Sequence, residues 1–161
     1  MGTRSDIIVE HSDGNWKRIY CHWDGYLDHN GTILFEHYNS QELAEKVVAP
    51  GNMSSLGKSC DKPEGHTFDN PVKGYTVYYS RDRNEDHGEG EIGAALDDVW
   101  PPEDTWTEFT YVWKKDEGCW FVGDPDEGQQ TLKPLADVLN GKEDKPKTAI
   151  KTPWGVIGKR A

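Results

Sequence analysis

The sequence predicts a single α+β domain, with a twisted antiparallel sheet of four to six strands and two or three short helices. The chain has 161 residues, the size of one ordinary domain. Seven Trp, seven Tyr and four Phe supply the large side chains that a core needs. Short alternating or β-branched runs, separated by Gly, Asn, Asp and Pro, indicate strands joined by turns.

The N-terminal segment predicts a β-hairpin. Residues 6–10 (DIIVE) form a short strand, and residues 12–15 (SDGN) are a dense turn signal. Residues 16–23 (WKRIYCHW) alternate as a second strand, because successive side chains of a strand point to opposite faces. One predicted face carries Trp16, Arg18, Tyr20 and His22, and the other carries Lys17, Ile19, Cys21 and Trp23.

Two short helices and a loop are expected next. Residues 32–38 (TILFEHY) carry apolar side chains at helical spacing. Ser40 is a suitable N-cap for a second helix over residues 41–49. Residues 52–71 are rich in Ser, Gly, Pro and Asp, which predicts a long loop. The expected buried stripe of the second helix is Leu43, Val47 and Val48.

The second half predicts further strands and a terminal helix. The β-branched and aromatic run at 74–80 (GYTVYYS) predicts a strand. The polar, Gly-rich stretch at 81–93 predicts a mobile loop before one or two helical turns at 94–99. A second hairpin is expected over 107–114 and 119–122, with positions 109, 111 and 113 on one face, and a helix over 132–139 should stop at Asn140-Gly141.

Charge is distributed unevenly around a formal net charge of −11. Residues 82–127 contain fifteen acidic and three basic residues, whereas residues 142–161 contain six basic and two acidic ones. We therefore divide the chain into one acidic domain, residues 1–141, and a basic flexible tail, residues 142–161. The acidic segment is consistent with solubility alone, with a surface for a basic partner, or with a calcium loop at 124–128, although that loop lacks the usual ligand order.

Composition excludes several classes of protein. An acidic chain is a poor candidate for direct contact with nucleic-acid phosphates. We expect neither a membrane span nor a leader peptide, because no apolar run has membrane-spanning length and no charged-then-apolar segment opens the sequence. Three widely spaced cysteines, Cys21, Cys60 and Cys119, without a CxxC, indicate a reducing compartment. These features predict a cytoplasmic protein.

The densest group of unusual residues is CHWDGY at 21–26, followed by Asp28, His29 and His37. Imidazole and carboxylate groups bind zinc, but the spacing matches no zinc motif. Structural histidines or a contact loop are the alternatives, and Trp23 and Tyr26 beside a Gly turn suit contact.

Motifs for catalysis are absent. The sequence contains no GxSxG or P-loop pattern, and a pair such as Cys60 and His66 has nothing in the sequence to favour it. Residues 88–93 (GEGEIG) have the spacing of a GxGxxG pattern. The glycines of GEGEIG at 88–93 are interleaved with carboxylates that would repel phosphate. Neither an enzyme nor a cofactor is predicted.

Residues 15–80 resemble a family of small phage and prophage proteins. The resemblance rests on YCHWDGY at 20–26 (Y-x-H-[WF]-D-G-Y), LFEHY at 34–38 and SSLG at 54–57, supported by Gly31, Leu43 and Val47. Leu27 stands where the family often has Pro. The resemblance implies an accessory gene of a mobile element and, by association, an inhibitor of host defence; it implies no catalytic residue.

The leading hypothesis is a counter-defence protein of the anti-CRISPR or antirestriction kind, in the cytoplasm of the bacterial host. Its acidic surface would occupy the basic groove of a nucleic-acid-handling host complex, in place of phosphates. The predicted contact residues are Glu85, Asp86, Glu89, Glu91, Asp97 and Asp98, with Trp23 and Tyr26 as anchors.

Two alternatives remain open. A sponge for a nucleotide immune signal would use Arg18, His22, Trp23 and Tyr26, with the aromatic residues stacking on the base and Arg18 near the phosphate. A metal-dependent hydrolase would require a bound metal.

Overall fold

The computed structural model describes residues 3–83, 88–102, 107–123 and 131–144, without the side chains of 142–144. Its mixed β-sheet and short helices confirm a single α+β domain. The described residues form eight strands and five α-helices, more than the four to six strands and two or three helices predicted, because several of these elements are only a few residues long. In this part of the chain, no helix has the length and apolar character needed to cross a membrane.

The strands are β1 (Ser5–Glu10), β2 (Trp16–Cys21), β3 (Met53–Ser55), β4 (Val77–Tyr78), β5 (Glu91–Gly93), β6 (Phe109–Lys114), β7 (Cys119–Gly123) and β8 (Leu132–Pro134). The helices are α1 (Thr32–His37), α2 (Gln41–Val48), α3 (Tyr79–Arg83), α4 (Leu96–Val99) and α5 (Leu135–Asp144), with a π-helical turn over Leu27–Gly31 before α1.

The described strands form one sheet in the order β4-β3-β2-β1-β6-β7-β8, and β5 also pairs with β2. Both predicted hairpins are present as antiparallel pairs, β1 with β2 and β6 with β7. However, β1 pairs with β6 in parallel, as does β2 with β3, so the sheet is mixed rather than purely antiparallel. Short turns force antiparallel pairing, whereas strands far apart in sequence are free to run in parallel.

The main core lies between one face of the sheet and helices α1, α2 and α5. Trp113 and Trp120 are its largest side chains, and their rings meet edge to face with centroids 5.5 Å apart. The Trp113 indole donates to Gln41 Oε1 at 2.7 Å, and the Trp120 indole donates to the Tyr38 carbonyl oxygen at 3.0 Å. Both buried indole N–H groups are therefore satisfied by the helical layer.

The opposite face of the sheet carries a smaller apolar cluster. Ile8 of β1 and Val112 of β6 pack there against Val99 of α4. This cluster covers only part of the face, and the positions beside it on β1, β2 and β6 are polar. The candidate site described below lies on the polar part of this sheet face.

Helix α2 begins as predicted, because the Ser40 side chain accepts a hydrogen bond from the Leu43 N–H at 3.2 Å. The predicted buried stripe is partly wrong. Val47 and Val48 are buried, but Leu43 is 36% exposed and Ala44 takes its place in the core. Positions 44, 47 and 48 are the set that faces the sheet at helical spacing.

Other element boundaries differ from the predictions. The predicted loop at 52–71 contains β3, and the predicted strand at 74–80 is reduced to β4, after which α3 begins. The predicted loop at 81–93 ends in β5. The predicted helix at 132–139 begins as β8 and continues through Asn140-Gly141 as α5. The predicted flexible tail beyond residue 144 lies outside the described residues.

Candidate functional site

A polar cleft of about 420 Å³ opens on the sheet face that the small apolar cluster leaves uncovered. Asp6 of β1 and the neighbouring Arg18 and Tyr20 of β2 line it, together with Asn52 and Pro102. The segment 88–91 (GEGE) also lines the cleft. Its volume falls within the range of clefts that hold small ligands.

Glycine allows the segment 88–91 to lie directly on β2. Gly90 has a φ of +101°, and a Cβ atom there would collide with the carbonyl oxygen of Arg18. β5 then pairs with β2, and Glu91 lies opposite Arg18. The spaced glycines of GEGEIG thus serve close backbone packing, which brings the carboxylates at 89 and 91 to the cleft.

Asp6 is the buried charged group of the cleft. It is 4% exposed, and its Oδ2 has no hydrogen-bond partner among the residues described. Burial raises the pKa of Asp6 to about 6, although a hydrogen bond with Thr107 and the charge of Arg18 partly oppose this increase. The neighbouring Thr110, opposite Asp6 on β6, is also buried with an unpartnered Oγ1.

Arg18 faces the same cleft from β2. Its charge acts on Asp6, yet no hydrogen bond or ion pair joins the two side chains. Within the described residues, the guanidinium of Arg18 forms neither kind of contact. The cleft therefore contains two groups of opposite charge that retain hydrogen-bonding capacity.

A chain of hydrogen bonds extends along β2. Arg4 Nε donates to the Tyr20 hydroxyl at 3.0 Å, and that hydroxyl lies 2.8 Å from His22 Nδ1. Partial burial and the nearby charge of Arg4 lower the pKa of His22, so the neutral imidazole accepts from Tyr20 through Nδ1. His22 is thereby held in place by hydrogen bonding.

A second polar cluster surrounds the buried Asp82 of α3. Arg81 Nε donates to Asp82 Oδ1 at 2.8 Å, and Tyr78 N–H donates to Oδ2 at 2.8 Å. His66 Nε2 lies 3.3 Å from Oδ2, while His66 Nδ1 accepts from the Val72 N–H at 3.0 Å. Both ring nitrogens of His66 are thus engaged in the fold.

This cluster does not activate Cys60. His66 has its partners in the backbone and in Asp82, and burial raises the pKa of the Cys60 thiol, which disfavours the reactive thiolate. No group of three or more His, Cys, Asp or Glu side chains in the described ranges is arranged to hold a metal ion. The possible calcium loop at 124–128 falls outside those ranges.

Four predicted acidic contact residues form what we call the acidic edge, which runs along β5 and α4. All four side chains are exposed, and Ile92 between them is 71% exposed. Asp98 differs from the others because its Oδ2 accepts the N–H groups of Ala94 and Ala95, each at 3.1 Å. The acidic edge comprises Glu89, Glu91, Asp97 and Asp98; the predicted Glu85 and Asp86 lie outside the described residues.

The predicted aromatic anchors are exposed, Trp23 by 42% and Tyr26 by 39%. The Trp23 ring packs edge to face on His22, with centroids 4.6 Å apart. Neither Trp23 nor Tyr26 is among the residues that line the polar cleft, whereas Arg18 is. The four residues predicted for nucleotide binding therefore do not all share this cleft.

Asp6 and Asn52 are not among the site residues predicted from the sequence. The signal for Asp6 lies in the N-terminal hairpin, because pairing 6–10 with 16–23 through a tight turn places Asp6 opposite Tyr20. Asn52 reaches the site through a contact distant in sequence, in which its Oδ1 accepts the Tyr20 N–H at 2.9 Å. No local pattern indicates that contact.

Compared with protein-family models, curated proteins and solved structures, this chain matches none of them.

Proposed function

We propose that the protein is a non-enzymatic counter-defence factor of a phage or other mobile element, which binds a nucleic-acid-handling host defence complex. The acidic edge enters a basic groove of that complex and occupies the place of nucleic-acid phosphates. The resemblance of residues 15–80 to small phage proteins supports this origin.

The observation that carries the proposal is an exposed isoleucine set among carboxylates. Segment 88–102 contains four acidic residues and no Lys or Arg, and Ile92 is mostly exposed at its centre. A single exposed apolar side chain is common on protein surfaces, so the support comes from the combination of Ile92 with the carboxylates around it. An apolar anchor surrounded by charge is typical of a protein contact.

The charges account for the choice of partner. Lys and Arg side chains that bind phosphates also bind carboxylates, because both groups are anions whose oxygens accept hydrogen bonds. Complementary charge accelerates encounter and excludes acidic proteins as competitors. We therefore expect the affinity for the partner to fall as salt concentration rises.

The first experiment is native mass spectrometry of the tagged protein purified from a bacterial lysate. We expect a complex of defined mass that contains a nucleic-acid-handling defence protein. A mass increase of several hundred daltons would instead support the nucleotide sponge. A bare chain under conditions that preserve other known complexes would contradict both.

Charge reversal tests the surface itself. In the triple variant Glu89→Lys, Glu91→Lys and Asp97→Lys, we expect affinity for the purified partner to fall by about 100-fold or more, because favourable charge pairs become repulsive. Asp98 is left intact since it caps backbone N–H groups of the segment. Surface plasmon resonance at two salt concentrations measures the effect.

A control variant makes the same change in net charge elsewhere. Glu42, Glu64 and Asp69 are exposed carboxylates outside the acidic edge, and their triple replacement by Lys should retain most of the affinity. Equal losses of affinity in the two variants would show that the effect comes from net charge alone. Full binding by the acidic-edge variant would remove this surface from the interface.

A further inference from the structure

We propose that the polar cleft binds a free amino acid with a cationic side chain, held between Asp6, Arg18 and the carboxylates at 89 and 91. The proposal can be tested without the partner, because it concerns a small molecule and the isolated chain, although Glu89 and Glu91 belong both to the cleft and to the acidic edge.

The buried carboxyl of Asp6 supplies the first half of the site. A carboxylate this deeply buried normally receives hydrogen bonds at both oxygens, since an unsatisfied charged group in the interior is costly. Here Thr107 contributes one hydrogen bond, while Oδ2 has no partner among the residues described. Oδ2 is itself enclosed, so the ammonium group of a ligand supplies the missing donors once the side chains that cover this oxygen move aside.

Arg18 supplies the second half. A guanidinium has five N–H donors in a planar fork that matches a carboxylate, and no described side chain uses the fork of Arg18. Arg18 does not bond Asp6, although both line the cleft. A ligand that satisfies both groups must therefore carry a cation and an anion, as the α-ammonium and α-carboxylate of an amino acid do.

The carboxylates at 89 and 91 select the side chain of the ligand. With Asp6 ionised, the cleft is lined by three negative groups and one positive group, and the charge of Lys17 acts on Glu89 from beside the cleft. The sum of these charges is still negative, so a ligand of net charge +1 fits better than a neutral or anionic one. The glycine-dependent pairing of segment 88–91 with β2 holds these carboxylates beside Arg18. L-Arginine and L-lysine have the required charges, whereas a nucleotide carries the opposite net charge.

Isothermal titration calorimetry of the purified full chain, at pH 7.5, tests the proposal with three probes: L-arginine, agmatine and adenosine monophosphate. Agmatine has both cations of arginine but no carboxylate. We expect L-arginine to bind more tightly than agmatine by about tenfold or more, the effect of one charge-assisted hydrogen-bonded pair. Adenosine monophosphate should not bind.

Two variants assign the contacts. Arg18→Gln should weaken the binding of L-arginine about tenfold and leave the binding of agmatine unchanged, because only the carboxylate of L-arginine loses its partner. Asp6→Asn should weaken the binding of both ligands by about tenfold. Asp97→Asn is the matched control, because it removes a carboxylate of the same segment that does not line the cleft, and it should bind like the wild type.

The outcomes separate the alternatives. No heat with L-arginine, or L-arginine affinity unchanged in Arg18→Gln and Asp6→Asn, overturns the proposal. Binding of adenosine monophosphate in place of L-arginine overturns it in favour of the nucleotide alternative. If one variant does not fold, as judged by circular dichroism, the other still decides. The result is independent of the partner, so failure here leaves the counter-defence proposal in place.

Discussion

Replacement of Asp82 by alanine is expected to lower the free energy of unfolding by about 3–5 kcal/mol, the usual effect of removing one partner of a buried charged network. The Asp82 carboxylate is fully buried and accepts hydrogen bonds from Arg81 and from the Tyr78 N–H, and His66 lies beside it. Burial opposes ionisation of Asp82, but these donors outweigh that effect and lower its pKa. Its loss leaves the buried Tyr78 N–H without its acceptor and leaves His66 Nε2 with only the Thr76 carbonyl oxygen, at 3.2 Å.

Urea denaturation at pH 7, followed by tryptophan fluorescence, measures this change. Asp61→Ala is the control, because its exposed carboxylate pairs with the exposed Lys46 at 3.0 Å and should leave the midpoint nearly unchanged. An Asp82→Ala midpoint within error of the wild type would show that the His66–Arg81 region does not hold the fold together.

Asp82 also determines how this region responds to acid. Because its pKa is lower in the folded state than the ordinary value of 3.8, the folded state favours the ionised carboxylate. The stabilisation is complete above the unfolded-state pKa and is lost as pH falls through the lower, folded-state pKa. The difference between wild type and Asp82→Ala should therefore shrink in strong acid.

Asp6→Asn is expected to stabilise the protein at pH 7.5, by at most about 3 kcal/mol. Asp6 is buried, no described residue bonds one of its oxygens, and its pKa is raised from 3.8 to about 6. Above pH 6 the folded state must hold a poorly compensated buried charge, which the neutral amide avoids. Loss of the favourable interaction with Arg18 reduces the gain below this ceiling.

The sign of the pH dependence follows from proton binding. Between pH 3.8 and about 6, the folded state binds a proton at Asp6 that the unfolded state has released, so the contribution of Asp6 to stability falls as pH rises through this window. The advantage of Asp6→Asn should be greatest above pH 6 and disappear below pH 3.8. Urea denaturation at pH 3.5, 5 and 7.5 is the measurement, with pH values chosen to bracket the transition.

Asp116→Asn is the control for this series, because its side chain is mostly exposed and should show no such trend. A destabilised Asp6→Asn at pH 7.5 would mean that the Asp6 carboxylate is satisfied in the folded protein. That result would also remove a basis for the amino-acid site. If the variant is more stable but no longer binds L-arginine, the Asp6 carboxylate contributes to ligand binding and lowers the stability of the fold.

The local features of this fold can be predicted from short stretches of its sequence. The hairpin of β1 and β2 follows from an alternating pattern around a Ser-Asp-Gly-Asn turn, and the hairpin of β6 and β7 follows from the same logic. The start of α2 follows from Ser40, whose side chain caps it. In each case the interacting groups are a few residues apart, so the chain segment contains the whole cause.

The other features depend on contacts between residues that are distant in sequence. The aromatic run at 74–80 has strand propensity throughout, yet Asp82 accepts the Tyr78 N–H and the chain turns into α3. The parallel pairing of β1 with β6 joins strands about 100 residues apart, and Asn52 reaches Tyr20 across the fold. The polar cleft depends both on this strand pairing and on the contact between Asn52 and Tyr20. Such contacts form because the whole chain buries its apolar surface together, and no local pattern of residues specifies which distant partners then meet.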